Sequence, residues 1–97
     1  MWILRGSYDT EALTFRLVNG SSKTVGRAPV ADFKLDAALV SRVHCRITAK
    51  PEALSVEDLA STNGTFVNDQ RIDTRQLLDG DRLRIGRVEL VVEQVLN

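Results

Sequence analysis

Apolar residues recur at every second position in short runs along the chain, and turn-forming residues separate the runs. Trp2-Ile3-Leu4 leads to Gly6, and residues 13–18 alternate Leu13, Phe15 and Leu17 before Asn19-Gly20. Residues 23–25 end at Gly26, 33–35 precede a loop, and 43–48 alternate Val43, Cys45 and Ile47. Residues 53–59 set Leu54 and Val56 against Ser55 and Glu57, and runs at 65–67, 71–72, 82–85 and 88–96 complete the set. Period two is the signature of half-buried strands, and this spacing is that of an all-β sandwich or barrel. No long stretch holds a helical period; the nearest, around Thr74–Leu78, stops at Gly80. Asn19-Gly20 between two strand-like runs predicts a hairpin, because such residues readily supply positive φ at both turn positions. Repeats, linkers and low-complexity segments are absent. The expectation is one antiparallel β domain over residues 1–97.

Composition adds mainly exclusions. A chain of 97 residues can bury a core without staples. Thirteen basic and thirteen acidic residues cancel, so no global field draws the protein to nucleic acid or a membrane. An anion site must therefore be a local arrangement of donors. Cys45 is the one cysteine and no metal-ligand spacing occurs, so neither a disulfide nor a metal is expected. No apolar run is long enough to span a bilayer, and residues 1–9 do not read as a secretory signal. An intracellular setting, cytoplasmic or nuclear, is the expectation.

Ser41 and His44, three residues apart, invite a test as nucleophile and base. With Val43–Thr48 read as a strand, His44 points opposite to Val43, Cys45 and Ile47. Ser41 can then meet it only from the preceding loop, and no Gly-x-Ser-x-Gly turn presents the serine. The expectation is no catalytic residue, with His44 a hydrogen-bonded brace for a loop.

Three loops carry unusual chemistry: Gly26-Arg27, Ser41-Arg42-Val43-His44, and Ser61-Thr62-Asn63-Gly64-Thr65. They offer two guanidiniums, hydroxyls and a side-chain amide. An arginine fork with hydroxyl and backbone N–H donors grips a phosphate dianion. Charge-assisted bonds contribute roughly 1.5–3 kcal/mol each, so three or four support micromolar affinity, about 8 kcal/mol. No Gly-x-Gly-x-x-Gly or P-loop fingerprint is present, so no cofactor is expected.

These motifs, with Asn68 and the closing Leu78, Gly80-Asp81, Leu83 and Ile85-Gly86, resemble the forkhead-associated (FHA) domain over about Leu13 to Val92. The resemblance implies an eleven-stranded antiparallel β-sandwich with ligand-binding loops at one end. It also implies a phosphothreonine-dependent peptide-binding adaptor in Ser/Thr kinase signalling. Arg27 and Ser41 match the residues that grip the phosphate, Arg42 a position that adds a further phosphate contact, and Thr62 one that lines the site. Asn63 matches the residue that bonds the peptide backbone. Leu39, in the loop before Ser41, would help read the peptide three places after the phosphothreonine. Gly26, His44, Gly64 and Asn68 match positions that shape loops. The opening residues resemble nibrin-like members, while residues 61–68 and 77–86 resemble bacterial members that read Ser/Thr-kinase targets. The rival reading is a phosphate-independent interaction or self-association module on the same fold.

Overall fold

The computed structural model describes residues 1–96, which hold eleven strands. They are β1 (Trp2–Tyr8), β2 (Glu11–Leu17), β3 (Ser22–Gly26), β4 (Phe33–Lys34), β5 (Cys45–Ala49) and β6 (Leu54–Asp58). The series continues with β7 (Thr65–Val67), β8 (Gln70–Ile72), β9 (Thr74–Leu77), β10 (Arg82–Ile85) and β11 (Val88–Gln94). One sheet has the order β2-β1-β11-β10-β7-β8 and the other β4-β3-β5-β6-β9. The alternation read from the sequence is the burial pattern. Cys45, Ile47 and Ala49 are buried around exposed Arg46, and Val88, Leu90 and Val92 around exposed Glu89, Val91 and Glu93.

Inward side chains of both sheets join in one core, with Leu4, Leu17, Leu83 and Leu90 from the first sheet and Val25, Ile47, Val56 and Leu77 from the second. Each fully buried aliphatic of this size contributes about 1.5–3 kcal/mol. Phe15 and Phe33 stack between the sheets with ring centroids 4.5 Å apart. At the end remote from the loops described below, buried Trp2 donates its indole N–H to the Lys50 carbonyl at 2.9 Å.

Three local expectations need correction. Asn19-Gly20 does not close a hairpin, because β2 and β3 belong to different sheets. Gly20 alone takes positive φ (90°), and its N–H reaches across to Ala49 at 2.8 Å. The turns with paired positive φ are Asp9-Thr10 and Asn68-Asp69, between the matched residues Tyr8–Glu11 and Val67–Gln70. The segment around Thr74, where no helix was expected, is strand β9, paired with β6. The sheets are antiparallel except for the short parallel pair β3–β4. Finally, β5 begins at Cys45, so Val43 and His44 belong to the loop that precedes it.

Register places the loops. Val25 pairs with Cys45 and Cys45 with Asp58, so the end of β3, the start of β5 and the end of β6 lie side by side. The segments 27–32, 35–44 and 59–64 therefore leave the sandwich at one end.

Candidate functional site

Backbone hydrogen bonds lace the first two loops together. Arg27 N–H donates to Ser41 O at 3.0 Å, Ala28 N–H to Arg42 O at 3.0 Å, and His44 N–H to Val25 O at 2.8 Å. This close approach requires glycine at 26, where a Cβ would lie 2.2 Å from the Arg42 carbonyl oxygen.

His44 joins the second loop to the third. Its ring is fully buried; Nδ1 accepts from the Ser41 backbone N–H at 3.0 Å, and Nε2 lies 2.9 Å from Gly64 O. A nitrogen that accepts from an amide carries no proton, so Nε2 is the protonated one and donates to Gly64. Both ring nitrogens are engaged, and neither meets the Ser41 hydroxyl. That hydroxyl oxygen instead accepts from the Thr62 N–H at 3.0 Å, which leaves its own proton free to point outward.

Asp58 builds the third loop from below. Its Oδ1 accepts from the hydroxyls of Ser61 and Thr65, the latter at 2.6 Å, and its Oδ2 from Ser61 N–H at 3.2 Å. Ser61 Oγ in turn accepts from Gly64 N–H at 3.0 Å. Burial would raise the Asp58 carboxyl, but the hydrogen bonds from Ser61 and Thr65 outweigh it and hold the group below its ordinary value. Gly64, at φ 90°, makes the turn back into β7.

Above this frame lies an open cleft of about 630 Å³. Arg27, Leu39, Ser41, Arg42, Thr62 and Asn63 line it, and Val40, Val43 and Ala60 complete its walls. Arg27 is exposed and lines the cleft, with its Nε–H donating to Val40 O at 3.2 Å. Asn63 Nδ2 donates to Leu39 O at 3.2 Å and so ties the two rims. Leu39 and Ala60 both hold left-handed backbone, at φ 70° and 54°. Non-glycine residues pay about 1–2 kcal/mol for that conformation, which clusters at binding sites. Among the described residues, no carboxylate lines the cleft. Two guanidiniums thus face a space that nothing acidic in the wall neutralises.

All six residues expected to touch ligand line one cleft. Gly26, His44 and Gly64 lie in the frame beneath it. Asn68 does not approach it: at the far end of β7 its side chain accepts from Arg82 N–H at 2.9 Å and donates to Asp81 at 3.0 Å. Sequence reading passed over Ala60 and the Asp58 network. The three-residue spacing of Asp58 and Ser61 was the available signal, since short polar side chains bond backbone a few residues on.

The model of the FHA domain family matches residues 23–86, which contain every cleft residue. The chain belongs to the FHA family. It is 39% identical over 84 residues to the FHA domain-containing protein FhaA of Mycobacterium tuberculosis, covering 87% of this chain and 16% of FhaA. It is 36% identical over 75 residues to the glycogen accumulation regulator GarA of the same organism, covering 77% of this chain and 46% of GarA. The chain thus spans less than half the length of either relative. A solved FHA domain from work on phosphothreonine-dependent FHA domain interactions superposes with a TM-score of 0.89 at 35% identity, over 99% of this chain and 98% of that one. The relatives fall on the bacterial side of the two resemblances drawn from sequence. The FHA domain is a recognition module, and no helix among the described residues is long and apolar enough to cross a membrane.

Proposed function

We propose that this FHA domain is a non-catalytic adaptor that binds phosphothreonine-containing proteins in Ser/Thr kinase signalling. The observation that carries the reading is the cleft itself, lined by Arg27, Ser41, Arg42 and Thr62 and, among the described residues, by no carboxylate. In this reading Arg27 and Ser41 grip the phosphate, Arg42 adds a second guanidinium, and Thr62 closes the site. Asn63 exchanges its bond to Leu39 for the peptide backbone. A phosphate dianion accepts from all these donors at once, while an aspartate mimic has one charge fewer and too few oxygens. The similarity to a domain studied for phosphothreonine-dependent interactions supports the same ligand class. The Ser41–His44 pair has no catalytic role here, because the histidine has no lone pair left for the hydroxyl.

Fluorescence anisotropy with matched peptides tests this directly. A phosphothreonine peptide should bind at micromolar affinity or better, its phosphoserine counterpart more weakly, and the unphosphorylated peptide not at all. Arg27→Ala should abolish binding. Equal binding of the unphosphorylated peptide would instead support the phosphate-independent reading.

A further inference from the structure

The outer face of the six-stranded sheet carries a feature that the cleft does not explain. The register aligns Arg84, Phe66 and Arg71 across β10, β7 and β8. Alternation turns this row outward, since Thr65, Val67, Leu83 and Ile85 beside it are buried in the core. The Arg84 guanidinium lies over the Phe66 ring at 4.1 Å. Arg71, exposed on the edge strand, packs on Gly64, where an added Cβ would sit 2.8 Å from its Nε. The row therefore abuts the turn that presents Thr62 and Asn63 to the cleft.

Its charge is only partly balanced: Glu89 stands opposite Arg84 in the register, but its carboxylate lies 3.9 Å from Arg82 instead. On the same face Arg5 pairs with Glu93 at 3.1 Å, and Arg82 with Asp69 at 3.3 Å and Glu89 at 3.9 Å. Among the described residues, neither Arg71 nor Arg84 has an acidic partner within ion-pair distance. Two arginines around an aromatic ring form a preorganised anion-binding surface, because stacking fixes the guanidinium plane while its N–H edges stay available. Arginine and aromatic residues are also the types enriched where partners dock.

We infer that the Arg71–Phe66–Arg84 row is a second, anionic subsite, which holds negatively charged side chains of the same ligand as that ligand leaves the cleft over the Thr62–Gly64 turn. The inference rests on the phosphopeptide reading of the cleft. The subsite recognises a negatively charged oxygen cluster, supplied either by aspartate and glutamate flanking the phosphothreonine or by a second phosphorylated residue. Neutral flanking residues gain nothing from it.

The test uses phosphothreonine peptides of one core sequence with a neutral flank, an acidic flank before the phosphothreonine, an acidic flank after it, or a second phosphoserine in either flank. At low salt, one of the acidic-flank peptides should bind the wild-type domain roughly three- to tenfold more tightly than the neutral one, and the gain should shrink as salt rises. A larger gain from the second phosphoserine would assign the subsite to doubly phosphorylated ligands, and an equal or smaller one to acidic sequence. Arg71→Gln with Arg84→Gln should erase the gain while leaving affinity for the neutral-flank peptide unchanged. Arg71→Lys should retain most of it, because it keeps the charge. No gain from any flank, or equal loss of neutral-flank binding in the double variant, would overturn the subsite while leaving the cleft assignment intact. Failure of the neutral-flank phosphothreonine peptide itself to bind would overturn both.

Discussion

Replacing His44 with alanine should damage the domain far more than any change to a residue that faces solvent in the cleft. The ring is fully buried and spans two loops, from Ser41 N–H at 3.0 Å to Gly64 at 2.9 Å. Each such bond contributes about 1 kcal/mol net, and abandoning a buried partner adds about 1 kcal/mol or more. The vacated ring volume adds about 1–2 kcal/mol as a cavity. The sum is about 4–6 kcal/mol, a large part of the roughly 5–15 kcal/mol that stabilises a small domain. For this chain length, at about 5 °C per kcal/mol, it lowers the melting temperature by about 20–30 °C. The indole of Trp2, buried at the opposite end of the sandwich, reports global unfolding by fluorescence rather than local loop motion. Binding of the phosphothreonine peptide should weaken as well, because the Ser41 and Gly64 loops lose their shared anchor. A melting temperature within about 2 °C of wild type would refute the bridging role of His44.

Other outcomes follow from the same geometry. Gly26→Ala should disrupt the cleft and destabilise the domain by at least about 2 kcal/mol in urea denaturation, since its Cβ would meet backbone at 2.2 Å. Asp58→Asn should destabilise by about 1–3 kcal/mol at pH 7, because the amide cannot serve all three donors. Since the folded state holds the Asp58 carboxyl below its ordinary value, its contribution is complete above about pH 4 and is lost as pH falls through the lowered folded value. The variant should therefore lack that part of the wild-type decline in stability below about pH 4, as measured by acid denaturation. Burial, and then the Asp58 charge, push the Cys45 thiol up to about 12. Iodoacetamide should accordingly label it only in denaturant, and rapid labelling of the native protein would contradict its burial.

The strands were readable because one face of each is buried, and burial writes alternation into residues such as Val88, Leu90 and Val92. Strand β9 left no such mark: Thr74, Arg75 and Gln76 are all exposed on an edge strand, and only Leu77 turns inward. Asn19-Gly20 misled because the same local turn chemistry serves a hairpin and a crossing between sheets. Its destination is decided by Gly20 reaching Ala49, a tertiary contact that no local pattern encodes. In the cleft, residue types announced donors for an anion, but their convergence depends on the register that sets Val25, Cys45 and Asp58 side by side. The row of Arg71, Phe66 and Arg84 depends on pairing across three strands and was invisible along the chain.

The most direct test of the central claim is a titration of the isotope-labelled domain with a phosphothreonine peptide, followed by nuclear magnetic resonance. The account predicts that the backbone amides of Ser41, Arg42, Thr62 and Asn63 and the Arg27 side-chain Nε–H shift together and saturate at one affinity. It also predicts that the unphosphorylated peptide moves none of them. Shifts confined to the sheet faces, with these five groups unmoved by the phosphorylated peptide, would contradict it.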